Sequence, residues 1–243
     1  MNSKVIISEN IEELSECFAH QLIQDLDIGT KKINIALSGG STPKVIFDFL
    51  SLNYNTKIDW NRINFFWGDE RCVPPDNIES NYLMTEEHLF SKINIDRKNI
   101  FRIKGENDPE TEADRYAETI LNTVPRIGRF PVFDIVALGL GEDGHTASIF
   151  PMIMKLLASE NICEVAVHPV TKQKRITMTG KVLNNAKKVI FFVTGKNKSE
   201  IIDNVLNRKN DYEKYPASHV NPVNGELIWL LDKNAASGLK GFK

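Results

Sequence analysis

The stretch VFDIVALGLGEDGHTAS (132–148) is apolar from Val132 to Leu138 apart from Asp134, then breaks into glycines at 139, 141 and 144. An unbroken apolar run that stops at a turn reads as a strand covered on both faces, as in a parallel sheet. Lys4–Ser8, Ile33–Leu37, Ile63–Trp67, Val189–Val193 and Leu227–Leu231 read the same way. Helical periods lie between them. Ile11, Leu14, Phe18, Leu22 and Leu26 predict an amphipathic helix over 10–27. Further helices are expected from Pro43 after a Ser/Thr cap, over 80–90 and 109–123, and near 197–207. Glu164–His168 and Arg175–Met178 predict a hairpin across Thr171–Lys174, and Asp232 is placed to cap a last short helix. The alternation predicts an α/β protein: a doubly wound, mostly parallel sheet with helices on both faces, a Rossmann-like three-layer sandwich.

Such sheets bind ligands beyond the carboxyl ends of their strands. Three turns follow strands directly, at 38–42, 68–75 and 139–146, so they are expected along one edge of the sheet. In the first, Gly39 and Gly40 let backbone N–H groups approach an anion at a helix start, and Ser41 and Thr42 add hydroxyls. The spacing is not that of a Walker A loop, and an ordinary tight turn with a cap reads the same residues equally well. In the second, Asp69 is suited to orient a water or hydroxyl, and Arg71 offers a planar fork for phosphate or carboxylate. A solvated loop with a local Asp–Arg pair is the plainer alternative.

The third turn formally satisfies G-x-G-x-x-G, the dinucleotide fingerprint. Glu142 and Asp143 would put negative charge where a pyrophosphate sits, and the match falls mid-chain rather than in a first βαβ unit, so a nicotinamide enzyme is rejected. His145 is better read as a general base, since an unperturbed imidazole titrates at about 6.5. Asp143, two residues earlier, is placed to hold one tautomer. Arg175 opens a strand and Lys198 lies near a helix start; alone each is a surface cation, but with Ser41, Thr42 and Arg71 they can form a phosphate pocket.

Other candidates stay plain. Ser148 lacks a G-x-S-x-G elbow. Cys17, Cys72 and Cys163 are few, odd in number and far apart, as in a reducing cytoplasm, and Cys72 beside Arg71 reads as a packed thiol. His88, His168 and His219 show no metal-ligand spacing, so no metal is expected. With 42% hydrophobic and 26% charged residues and a net charge of −2, the chain has no general attraction for nucleic acid or an anionic membrane. No apolar run approaches the roughly 20 residues that span a bilayer.

Four stretches together, ALSGGSTPK (36–44), FFWGDERCVPPDNIESNY (65–82), DIVALGLGEDGHTASIFP (134–151) and RITMTGKVLNNAKKVIFFVTGKNK (175–198), resemble the glucosamine-6-phosphate isomerase/6-phosphogluconolactonase family. The ending PASHVNPVNGELIWLLDKNAA (216–236) is similar too. The resemblance is to the lactonase branch: deaminases carry a tyrosine where this chain has Arg71 and a glutamate soon after the histidine, where Ala147, Ser148 and Ile149 offer no carboxylate. It implies one domain over 1–243, no cofactor, 6-phospho-D-glucono-1,5-lactone as substrate, and the second step of the oxidative pentose phosphate pathway. A monomer or small homo-oligomer is expected. The alternatives are a glucosamine-6-phosphate deaminase/isomerase and a non-catalytic sugar-phosphate-binding module. The stretch Met152–Lys155 departs from the glycine and polar loop that the resemblance leads one to expect there.

Overall fold

The computed structural model describes residues 3–29 and 31–239. In chain order the elements are β1 (Ser3–Ser8), α1 (Ile11–Asp27), β2 (Ile33–Leu37), α2 (Ser41–Asn53), β3 (Ile63–Trp67), β4 (Asp69–Arg71), α3 (Asn81–His88), α4 (Pro109–Thr123), β5 (Arg126–Ile127), β6 (Phe130–Pro131) and β7 (Ile135–Gly139). There follow β8 (Cys163–Val167), β9 (Lys174–Met178), α5 (Gly180–Leu183), β10 (Lys188–Val193), α6 (Ser199–Asn207) and β11 (Glu226–Asp232), with short 3-10 turns between.

Six strands form a sheet in the order β1-β11-β10-β7-β2-β3, and every pairing in it is parallel. The central strands β2, β7, β10 and β11 are buried almost throughout, which requires cover on both faces. Phe191 and Trp229 stack across β10 and β11 with ring centroids 4.0 Å apart. From β2 the chain runs outward to β3, whereas β7, β10 and β11 progress the other way, so the winding reverses between β2 and β7. Ser38 Oγ donates to the Ala137 carbonyl at 2.6 Å across this reversal. A doubly wound sheet opens its ligand crevice at that point.

The ends of the helices follow local chemistry. Asn10 caps α1 by accepting from Glu13 N at 2.9 Å, and Asp108 caps α4 just before Pro109. The start of α2 differs from the sequence expectation. It opens at Ser41, two residues before Pro43, and its cap is Gly40, not a Ser or Thr. Gly40 has φ +110°, a left-handed value that L side chains rarely adopt. The chain therefore turns earlier than the proline signal implied, and Ser41 and Thr42 become the first two helical residues. The strand ending at the glycine turn is shorter than read, beginning at Ile135; Asp134 is drawn aside to accept from Asn34 N at 2.7 Å.

The stretch after Trp67 is a second departure. Asp69–Arg71 is not a free turn but a short strand, antiparallel to β9, and with β8 it makes a separate three-stranded sheet. Gly68 joins the two sheets: its N–H donates to the Leu37 carbonyl and its carbonyl accepts from Met178 N, both at 2.8 Å. Glu70 is buried beneath this strand. Its carboxylate accepts from Arg71 N, Asn81 N, Tyr82 N and the Ser80 hydroxyl, tying β4 to the first turn of α3. Burial outweighs those four donors and holds the carboxyl above its ordinary value.

Candidate active site

The turns after β2, β3 and β7 meet at one edge of the sheet, around a cleft of about 210 Å³. Gly39, Gly40, Ser41, Thr42, Asp69, Arg71, His145, Arg175 and Lys198 all line it. Asp143 lies just behind, in contact with His145. A larger depression of about 940 Å³ sits at the opposite edge, where Lys187 and Lys188 are paired with Asp134 and Asp25; it gathers none of these groups.

His145 Nδ1 lies 2.5 Å from Asp143 Oδ1, and the same oxygen accepts from His145 N at 3.2 Å. Donation from Nδ1 leaves Nε2 with its lone pair. Burial pushes the Asp143 carboxyl up, but the hydrogen bond and charge of His145 outweigh it and hold it below its usual value. The ring rests against Phe150, centroids 4.7 Å apart, and Phe150 in turn meets the Arg175 guanidinium at 5.7 Å. Gly141 is required by the pair itself. A β-carbon there would fall 2.1 Å from His145 Nδ1 and 2.7 Å from Asp143 Oδ1. The histidine and its carboxylate occupy that space. Gly141→Ala is therefore expected to lower turnover about 10- to 100-fold by displacing the pair, with little change in melting temperature. Unchanged turnover would show that the ring has another working seat.

Arg71 and Arg175 face each other directly in the β4–β9 register. Like charges opposed in this way repel, and no ion pair to either is present among the described residues. Burial, with Arg71 close by, draws the Arg175 guanidinium below its ordinary value, and Arg175 Nε is buried with no hydrogen-bond partner among the described residues. Arg71 is held by donation to the Glu79 carbonyl at 2.5 Å. The start of α2 also lines the cleft, and there Thr42 Oγ1 and Thr194 Oγ1 are 2.7 Å apart. Lys198 is half-buried there, and desolvation lowers its pKa although Glu142 and Asp143 pull it back up. The cleft thus carries three cations beside a His–carboxylate pair, an arrangement suited to a small anion with a hydrolysable centre.

Several contributors carry no sequence signal. Asn81 packs against Gly39 and donates to the Asp69 carbonyl at 2.9 Å. Thr194 acts through Thr42, 152 residues away, and Phe150 reaches Arg175 as well as the nearby His145. Ser148 is completely buried, with its hydroxyl on Asp69, so it is no nucleophile. Cys72 is a packed thiol pushed up to about 11, chiefly by burial. No group of three or more His, Cys, Asp or Glu side chains among the described residues is arranged to hold a metal ion.

Residues 8–229 match the profile of the glucosamine-6-phosphate isomerases/6-phosphogluconolactonase family. The chain belongs to this family. Within it, a 6-phosphogluconolactonase of Haemophilus influenzae is 41% identical over 204 residues, covering 84% of this chain and 86% of that one. The solved structure of 6-phosphogluconolactonase from Trypanosoma brucei superposes with a TM-score of 0.86 at 29% identity, over 98% of this chain and 99% of that one. A monomeric glucosamine-6-phosphate deaminase shares the fold, with a TM-score of 0.81 at 22% identity over 97% of this chain and 100% of that one. The family fold therefore does not choose between lactone and amino sugar, and the cleft must. No helix among the described residues is long and apolar enough to cross a membrane.

Proposed function

We propose that this protein hydrolyses 6-phospho-D-glucono-1,5-lactone to 6-phospho-D-gluconate, the second step of the oxidative pentose phosphate pathway. The observation that carries the reading is a single cleft holding His145 on Asp143 together with two arginines that form no ion pair among the described residues. The substrate phosphate seats on the Ser41–Thr42 helix start with Arg71, Arg175 and Lys198, and the lactone carbonyl lies at His145. Nε2 takes a proton from water as its oxygen attacks C1. Backbone N–H groups of the glycine turns or Arg71 hold the oxyanion. Collapse breaks the bond from C1 to the ring oxygen, which receives the proton back from His145. Asp143 keeps the imidazole in its working tautomer, and Asp69 orients the attacking water or a sugar hydroxyl.

Ala147, Ser148 and Ile149, which follow His145 closely, offer no carboxylate to open an amino-sugar ring. That favours the lactone. The reading includes one domain over residues 1–243, a cytoplasmic monomer or small homo-oligomer, and no cofactor.

The test is to generate the lactone in situ and follow its loss with and without protein, offering glucosamine 6-phosphate in parallel. Loss well above the spontaneous rate, with no turnover of the amino sugar, is expected. Turnover of the amino sugar alone would move the protein to the deaminase branch, and binding without turnover of either would make it a sensor.

A further inference from the structure

Ser148 stands three residues after His145, yet its side chain does not line the cleft. Between them Ala147 has φ +48°, a left-handed value unusual for a residue with a β-carbon. The kink sends His145 into the cleft and Ser148 into its wall. There Ser148 Oγ donates to Asp69 Oδ2 at 2.5 Å, and Ser148 N donates to Thr177 Oγ1 at 3.2 Å. Thr177 is the residue opposite Asp69 in the β4–β9 register. The Asp69 carbonyl is held separately by Asn81 Nδ2. Asp69 is only 5% exposed, but it lines the cleft, and its Oδ1 accepts from no group among the described residues.

We propose that Ser148 is a positioning residue for Asp69. It occupies one carboxylate oxygen and so fixes the other as the acceptor offered to the attacking water. Because Ser148 and His145 ride on one turn, this contact also sets the distance between the group that aims the water and the group that deprotonates it. A hydrogen bond between two buried groups from elements 79 residues apart fixes a carboxylate far more tightly than rotamer preference alone. The inference rests on the lactonase reading and on Asp69 facing the water.

The experiment is a double-mutant cycle on the whole protein with lactone generated in situ. Ser148→Ala and Ser148→Cys, the second keeping the side-chain volume with a much weaker donor, are each expected to lower kcat about 10-fold with KM within about 2-fold. Asp69→Asn should lower kcat at least as much. Adding Ser148→Ala to Asp69→Asn should change kcat by less than about 2-fold, because a residue that acts through Asp69 has nothing left to position. Thermal melts of all four proteins identify any variant that fails to fold, and Ser148→Cys then supplies the cycle. Losses that multiply, or wild-type kcat in both Ser148 variants while Asp69→Asn is impaired, would overturn the inference and leave the lactonase reading standing. Wild-type turnover in Asp69→Asn would also overturn it. No lactone hydrolysis by the wild-type protein would remove the reading itself.

Discussion

His145→Ala is expected to lower kcat for the lactone by about 10²- to 10⁴-fold, the usual contribution of a positioned general base, with KM little changed. Three observations set that expectation. The imidazole lines the cleft, with its side chain 28% exposed, so Nε2 can reach a bound water. Its other nitrogen is committed to Asp143, whose carboxyl is held below the usual range and stays ionised through neutral pH. The ring is fixed by Phe150 on one side and by the absence of a side chain at Gly141 on another. The variant keeps the cations of the cleft, so substrate still binds and a residual rate survives through oxyanion stabilisation. Steady-state kinetics corrected for spontaneous hydrolysis measure this directly. Turnover in His145→Ala equal to wild type would remove the histidine from the chemistry.

Arg175→Ala is expected to raise KM about 10- to 100-fold, the worth of hydrogen bonds to a charged group, and to change kcat less. The reasoning runs from the opposed pair on β4 and β9. Two guanidiniums held side by side, with no ion pair to either among the described residues, are a cost to the folded protein that a phosphate dianion offsets. Removing Arg175 should therefore weaken binding while leaving the melting temperature unchanged or slightly higher, because Arg71 loses a like-charged neighbour. That combination separates a ligand role from a structural one. A KM equal to wild type would sink the assignment of Arg175 to the phosphate.

The readable parts of this molecule were those in which one residue's neighbours in sequence are also its physical environment. Ile63–Trp67 and Val189–Val193 announce buried strands because both faces are covered, and the helical period of Leu14, Phe18, Leu22 and Leu26 needs no other information. The pairing of Asp143 with His145 is local, so spacing alone pointed to it. Strand order is not local, and neither is the short strand at Asp69–Arg71. Its partner lies about a hundred residues on, and without β9 the run Asp-Glu-Arg has only the composition of a loop. The start of α2 was misplaced because proline signals a first turn without saying which of its positions it fills. Asn81, Thr194 and the hydrogen bond that buries Ser148 against Asp69 emerge only from contacts across the fold.

Gly68 has a consequence for substrate size. The two arginines stand on the three-stranded sheet, whereas His145 and the helix start stand on the six-stranded one, and the backbone of Gly68 is bonded to both. The separation between the strands that carry the guanidinium pair and the turn that carries the imidazole is thus set by the scaffold. The cleft is therefore expected to act as a caliper, so that a phosphorylated lactone with one carbon fewer between phosphate and carbonyl is turned over more slowly.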